Sequence, residues 1–92
     1  MKLRLTTEAI HDVETIRNHI ARSEASAAED TVDRIAKAVR YLRKWPRIGH
    51  VGIVRGTLEW SPFQMPYVIV YRVESAHVDI LRIYRHAQDR SD

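Results

Sequence analysis

Hydrophobic positions in the first half of the chain recur with a helical period. Before that period begins, Lys2-Leu3-Arg4-Leu5 alternates polar and apolar residues. This predicts a short strand with Leu3 and Leu5 turned inward. Thr6 and Thr7 then offer N-cap oxygens, with Glu8 in the first helical turn. Ala9, Val13, Ile16 and Ile20, at spacings of 4, 3 and 4, form one stripe of an amphipathic helix running to about Arg22. On this reading Asp12 and Glu14 are solvated charges on the helix surface. Ser26-Ala27-Ala28-Glu29 has the capping-box pattern, in which Ser26 and Glu29 satisfy two orphan N–H groups. The second helix carries Ala28, Val32, Ile35, Val39 and Leu42 on one face. It should stop at Trp45, because Pro46 disfavours helical backbone in the residue before it. So short a connection makes the two helices an antiparallel hairpin.

The second half changes period. Residues 46–56 hold three glycines and a proline and read as a loop, with an extended piece at Ile53-Val54. Thr57 to Trp60 is a short strand closed by Ser61-Pro62. Tyr67-Val-Ile-Val-Tyr-Arg-Val73 is β-branched and aromatic throughout, the strongest strand signal in the chain. Glu74 to His77 turns it back into a last strand over 78–85. The expected fold is α+β, in the order β-α-α-β-β-β, with a helical hairpin packed on a small, mainly antiparallel sheet. If Ser75-Ala76 is the hairpin loop, Arg72 faces Asp79, Val70 faces Leu81 and Val68 faces Ile83. Tyr67, Ile69, Tyr71, Ile80, Arg82 and Tyr84 then share the other face. Both faces are largely apolar, yet two helices cover only one. Solvated sheet faces are normally polar, so the second face is expected to be covered by a partner protein. The alternative is that the loop and the C-terminal tail fold over it.

Composition narrows the class. At 92 residues the chain reads as one domain, 1–92, and 45% hydrophobic residues are enough for folding. With no cysteine, disulfide scaffolds, thiolate zinc sites and thiol nucleophiles are excluded. The longest uncharged apolar run, Tyr67–Tyr71, is far short of the ~20 residues that span a bilayer. No secretion signal is visible, so a cytoplasmic protein without membrane association is expected.

The net charge of +3 hides a segregation. Residues 8–33 sum to −5, whereas residues 34–58 hold seven bases and no acid. Helix macrodipoles account for bases at a helix end, such as Arg40, Arg43 and Lys44. An acidic protein partner or nucleic acid accounts for the whole pattern equally well. Twelve of the fifteen cations are Arg, the better side chain for bidentate carboxylate and phosphate contacts.

Candidate chemistry is sparse. The five histidines have no metal-ligand spacing, no phosphate-binding glycine motif occurs, and no metal or cofactor is expected. Arg82, Tyr84, Arg85 and His86 cluster at the end of the last strand, where Arg can stabilise a phosphorane-like charge and His or Tyr can move protons. The same residues suit binding, and Arg82 also suits a snorkelling role over apolar surface.

Pro46-x-x-Gly49, Gly56-Thr57-x-Glu59, the block Tyr67–Val73 after Pro66, and Ile80-Leu81-Arg82-Ile83 followed by Ala87-Gln88 together resemble the RelE/ParE toxin superfamily, closer to its ParE branch. Leu5-Thr6-x-x-Ala9 with Asp12 and Ile16 fits the first helix of that family. The resemblance implies the toxin half of a bacterial type II toxin–antitoxin pair and a ParD-like antitoxin that wraps it. DNA is then contacted only through the antitoxin. ParE-like members typically poison DNA gyrase by binding, whereas RelE-like members cleave mRNA in the ribosome. The alternatives carried forward are gyrase inhibition, an mRNA interferase using Arg82, Arg85 and His86 with Arg55, and an inactive antitoxin-binding module. Val68 stands where the ribonuclease branch often has an Arg, Leu58 where the family block has one, and His50 where an Arg often follows the Gly. His86 sits one place late for the family's His-Gly-Ala pattern. Antitoxin contacts are expected from Arg34, Arg40, Leu42, Trp45, Val68, Val70, Arg72, Leu81 and Ile83. Target contacts are expected from Arg82, Tyr84, Arg85 and His86.

Overall fold

The structure, a computed structural model, describes residues 1–86. Ala87-Gln88 and the C-terminal tail lie outside the described residues. Seven elements follow one another: β1 (Lys2–Leu5), α1 (Thr7–Ala21), α2 (Ala25–Lys44), β2 (His50–Val51), β3 (Leu58–Trp60), β4 (Tyr67–Val73) and β5 (His77–Arg85). The strands form one sheet in the order β1-β5-β4-β3-β2. All neighbours are antiparallel except β1 and β5, which run parallel. The α+β class and the helical hairpin on a mainly antiparallel sheet are as expected. The order gains one strand, β2, within a stretch read as loop. Two residues are too few to show a period, and pairing with β3 alone defines it (His50 with Glu59, Val51 with Leu58). Ile53 and Val54 are instead in the exposed turn that follows.

The helices form where their apolar stripes predict. Thr6 caps α1, its hydroxyl accepting from the Ala9 N–H at 3.0 Å. The capping box of α2 does not form. The N-cap lies two residues earlier, at Glu24, so the helix begins at Ala25, and the Ser26 hydroxyl donates to the Glu24 carboxylate at 2.9 Å. Ala9 and Ile16 of α1 and Ile35, Ala38, Val39 and Leu42 of α2 bury against Tyr67, Ile69, Tyr71, Val78, Ile80 and Ile83 of the sheet. Leu3 packs on this core. Leu5 remains 39% exposed, because β1 is an edge strand and the chain leaves the sheet directly after it. A triad pins β1 to β5. Arg4 Nε donates to Asp79 Oδ1 at 3.0 Å, and Arg4 Nη2 lies 2.8 Å from His77 Nε2. The Arg4 guanidinium holds the Asp79 carboxyl below its ordinary range.

Register corrects the expected faces. Arg72 faces Asp79 as read, and Tyr71 faces Ile80, but Val70 faces Arg82, so Leu81 is an extra residue on β5. A one-residue bulge flips every side chain beyond it. Ile83 therefore joins the helix-covered face, 2% exposed, and Arg82 and Tyr84 pass to the outer face beside Val68 and Val70. The outer face is also less bare than expected: Val68 and Val70 are each 7% exposed in the chain by itself.

Tyr71, in the central strand, is fully buried and its hydroxyl organises the loop after α2. It donates to the Pro46 carbonyl at 2.7 Å and accepts from the Gly49 N–H at 3.0 Å. A Cβ at Gly49 would stand 2.7 Å from that hydroxyl and 2.8 Å from the Glu59 carbonyl oxygen, so only glycine fits. Burial pushes the Tyr71 phenol above its ordinary value. The unfolded chain therefore ionises first, and the stability this phenol confers is intact below about pH 10 and lost as pH rises beyond it. Tyr71→Phe should cost about 1–3 kcal/mol at neutral pH by leaving two backbone groups unpaired. It should also flatten the alkaline fall in stability, which urea unfolding as a function of pH would register.

Candidate functional site

The site begins with a backbone problem. β1 ends at Leu5, so β5 loses its neighbour on that side just where the Leu81 bulge lies. Backbone groups in 80–83 must then find other partners. The Thr6 N–H donates to the Ile80 carbonyl at 3.0 Å, and the Thr6 hydroxyl to the Leu81 carbonyl at 2.9 Å. Asp12, one and a half turns into α1, takes the place of the missing strand. Its Oδ2 accepts from the Ile83 N–H at 2.9 Å and from Arg82 Nε at 2.8 Å, and its Oδ1 accepts from Arg82 Nη2 at 2.9 Å. The Asp12 carboxylate further raises the already high pKa of Arg82, which stays cationic. Asp12 is thus a buried, bidentate anchor and not the solvated charge its helical position suggested. The signal was present in the spacing: Ala9, Asp12 and Ile16 stand 3 and 4 apart, all on the buried face of α1.

Arg82 reaches around the sheet edge, with its guanidinium carbon 4.8 Å from the centre of the Tyr84 ring, a cation–π distance. On the outer face these two side chains border a cleft of about 180 Å³, together with Leu81, Val70 and Arg72. The turn from β2 to β3 closes the cleft through exposed Ile53 and Val54 and buried Thr57 and Glu59. That turn is built by the block Gly56-Thr57-x-Glu59. Gly56 takes φ +82°, the Thr57 hydroxyl donates to the Val54 carbonyl at 2.6 Å, and the Glu59 carboxylate accepts from the Ile53 N–H at 3.1 Å. Glu59 is therefore occupied in holding the turn, and Arg82 with Asp12 is a pair of no net charge. Such a cleft is suited to binding a surface. Its other cation, Arg72, reaches the Gly56 carbonyl at 3.4 Å.

The predicted residues separate into several environments. Of the four at the end of β5, Arg82 and Tyr84 face the outer cleft, while Arg85 lines a groove on the other face beside His19, Thr15 and Tyr67. Strand alternation places neighbours 84 and 85 on opposite sides. His86 lies past the strand, its Nε2 2.9 Å from the Ser61 hydroxyl and its N–H donating to the Pro66 carbonyl. Arg55 is on the exposed β2–β3 turn. Leu42 and Ile83, expected at a partner interface, belong to the chain's own core at 0% and 2% exposure. Arg40 and Trp45 are exposed on and after α2. Arg34 donates to the Gln64 carbonyl at 3.2 Å, and Arg72 reaches the Gly56 carbonyl at 3.4 Å. Among the described residues no three His, Asp or Glu side chains gather as a metal site, and no helix is long and apolar enough to cross a membrane.

A helical hairpin on one face of this five-stranded, mostly antiparallel sheet is the architecture of RelE/ParE superfamily toxins. The family described as "ParE toxin of type II toxin-antitoxin system, parDE" matches residues 3–90, and the chain belongs to it. It is 33% identical over 88 residues to the protein named "Putative toxin Y4kP" of Sinorhizobium fredii (strain NBRC 101917 / NGR234), covering 95% of this chain and 91% of that one. The structure titled "Chromosomal ParDE TA system from P. aeruginosa" superposes with a TM-score of 0.84 and 26% identity, covering 92% of this chain and 95% of that one. The toxin–antitoxin complex RelBE2 from Mycobacterium tuberculosis shares the fold, with a TM-score of 0.67 and 21% identity over 91% of this chain and 95% of that one.

Removing Asp12 strands both the Ile83 N–H and the Arg82 guanidinium. Asp12→Ala should therefore cost about 3 kcal/mol, at the low end for a broken buried pair because Arg82 is partly solvated. In a domain of this size that lowers Tm by roughly 10–20 °C, measurable by calorimetry. Asp12→Asn, which keeps an acceptor for Ile83, should lose less.

Proposed function

We propose that this chain is neutralised by a ParD-like antitoxin and, when released, inhibits DNA gyrase by binding to it in the cytoplasm. The observation that carries this reading is the neutral Asp12–Arg82 pair at the outer cleft: the strongest candidate for a catalytic cation is already matched by a buried carboxylate. Val68, buried where the ribonuclease branch often has an Arg, supports the same conclusion. The likeness to the ParDE structure, greater than that to RelBE2, favours the gyrase-directed branch. Target contact falls to Tyr84 and its neighbours on the outer cleft. Antitoxin contact falls to the exposed side of α2 and the residues following it, with Arg40 and Trp45 as its exposed members. Val68 and Val70 are each 7% exposed, Val70 lining the outer cleft.

Induction of the chain without its antitoxin should arrest growth, with filamentous cells and a DNA-damage response, while primer extension finds message intact. Codon-linked breaks in mRNA would replace this reading by the interferase one. Unaffected growth at high soluble expression would leave only an inactive antitoxin-binding module.

A further inference from the structure

On the helix-covered side of the sheet, away from the outer cleft, the last turns of α1 meet the start of β4 and the end of β5 in a groove of about 200 Å³. Arg85 stands directly across from Tyr67 in the β4–β5 register, so both side chains leave the sheet on the same face. Thr15 and His19 lie one helical turn apart on α1, one above the other, and line the groove opposite that pair. Ile16, which is buried, and Ile20, which packs on the core, supply its apolar lining.

Tyr67 is 3% exposed, yet its hydroxyl has no hydrogen-bond partner among the described residues. A buried phenol ordinarily finds one, as Tyr71 does in the same strand. The Tyr67 hydroxyl is not cut off from solvent, and the groove is the open space this residue borders. The macrodipole of α1 accounts for a His in its last turn, but not for the unpartnered phenol beside it. The polar side chains that line the groove, Arg85, Tyr67, Thr15 and His19, can all donate, and no acid lines it. A guanidinium carries more donors than a single contact uses. Such a set selects an oxyanion. A carboxylate offers one charge and two oxygens, whereas a phosphate monoester offers three acceptor oxygens and about two charges near neutral pH. The phosphate is the better match to a guanidinium fork joined by further donors from two other elements. The isoleucines suit the organic group that bears it.

We propose that this groove binds a small organic phosphate monoester, with Arg85, Tyr67, Thr15 and His19 donating to the phosphate and Ile16 and Ile20 against its apolar part. The inference goes beyond toxicity and is independent of gyrase as target. The full chain, made by cell-free synthesis, is titrated with phenyl phosphate by calorimetry. Saturable binding at millimolar concentration is expected, weakening as salt rises, with phenol and benzoate binding less tightly. Arg85→Gln should bind phenyl phosphate about tenfold or more weakly, having lost a charge-assisted contact. Tyr67→Phe should bind about fivefold more weakly and keep the parent's urea midpoint, because it removes a hydroxyl with no partner to lose. Lys37→Gln, on the exposed side of α2, should bind as the parent does. Absence of saturable binding, benzoate or phenol binding as tightly as phenyl phosphate, or affinity untouched by Arg85→Gln and Tyr67→Phe would each overturn the proposal. So would a lowered urea midpoint in Tyr67→Phe, which would show the hydroxyl already engaged.

Discussion

A carboxylate on a helix does the work of a missing strand. β1 is only four residues long, and where it departs, β5 must continue with one edge unpaired. An unpaired buried backbone N–H costs about as much as a lost hydrogen bond. Asp12 removes that cost at Ile83 and is itself compensated by Arg82, so the Ile83 N–H and the carboxylate both tolerate burial. The Leu81 bulge is accommodated at the same place. It turns Ile83 into the core and sends Arg82 over the edge to meet the carboxylate. Helix position, strand register and the orientation of the outer cleft are therefore coupled through one side chain.

The residues that carry the family resemblance are mostly scaffold. Pro46 and Gly49 cradle the Tyr71 hydroxyl, and Gly56, Thr57 and Glu59 shape the turn that closes the outer cleft. Gly52 belongs to the same device, since a Cβ there would collide with the Thr57 hydroxyl. The departures from the family pattern fit their surroundings as well. Leu58 packs against the core on the helix side, and Val68 is buried opposite Tyr84. These positions hold apolar residues because their neighbours are apolar. The surfaces this scaffold leaves open include a cleft beside Tyr84 and a groove beside Trp45.

Long periodic segments were legible from the residues alone. Both helices, the strand from Tyr67 to Val73, the hairpin loop at Ser75-Ala76 and the antiparallel character of the sheet follow from spacing and turn chemistry. What was not legible depends on contacts distant in sequence. Strand β2 exists only through pairing with β3. The bulge at Leu81 reflects where β1 stops, some 75 residues away in the chain. Asp12 looked solvated because a lone acid on an amphipathic helix usually is, and its partners lie 70 and 71 residues further on. Arg82, by sequence a free cation, is in the fold half of a neutral pair with that acid. The local capping box lost to an N-cap two residues earlier, a difference too small for pattern to resolve.

The coupling of Asp12 to Arg82 is the quantity on which this account turns. A double-mutant cycle in urea, comparing the parent chain with Asp12→Ala, Arg82→Ala and the two combined, measures it directly. Strong non-additivity of about 1–3 kcal/mol is expected, with the double variant little worse than Asp12→Ala alone. Additivity to within about 0.3–0.5 kcal/mol would contradict it, leaving Arg82 an independent cation open to phosphate and the outer cleft a plausible centre for chemistry.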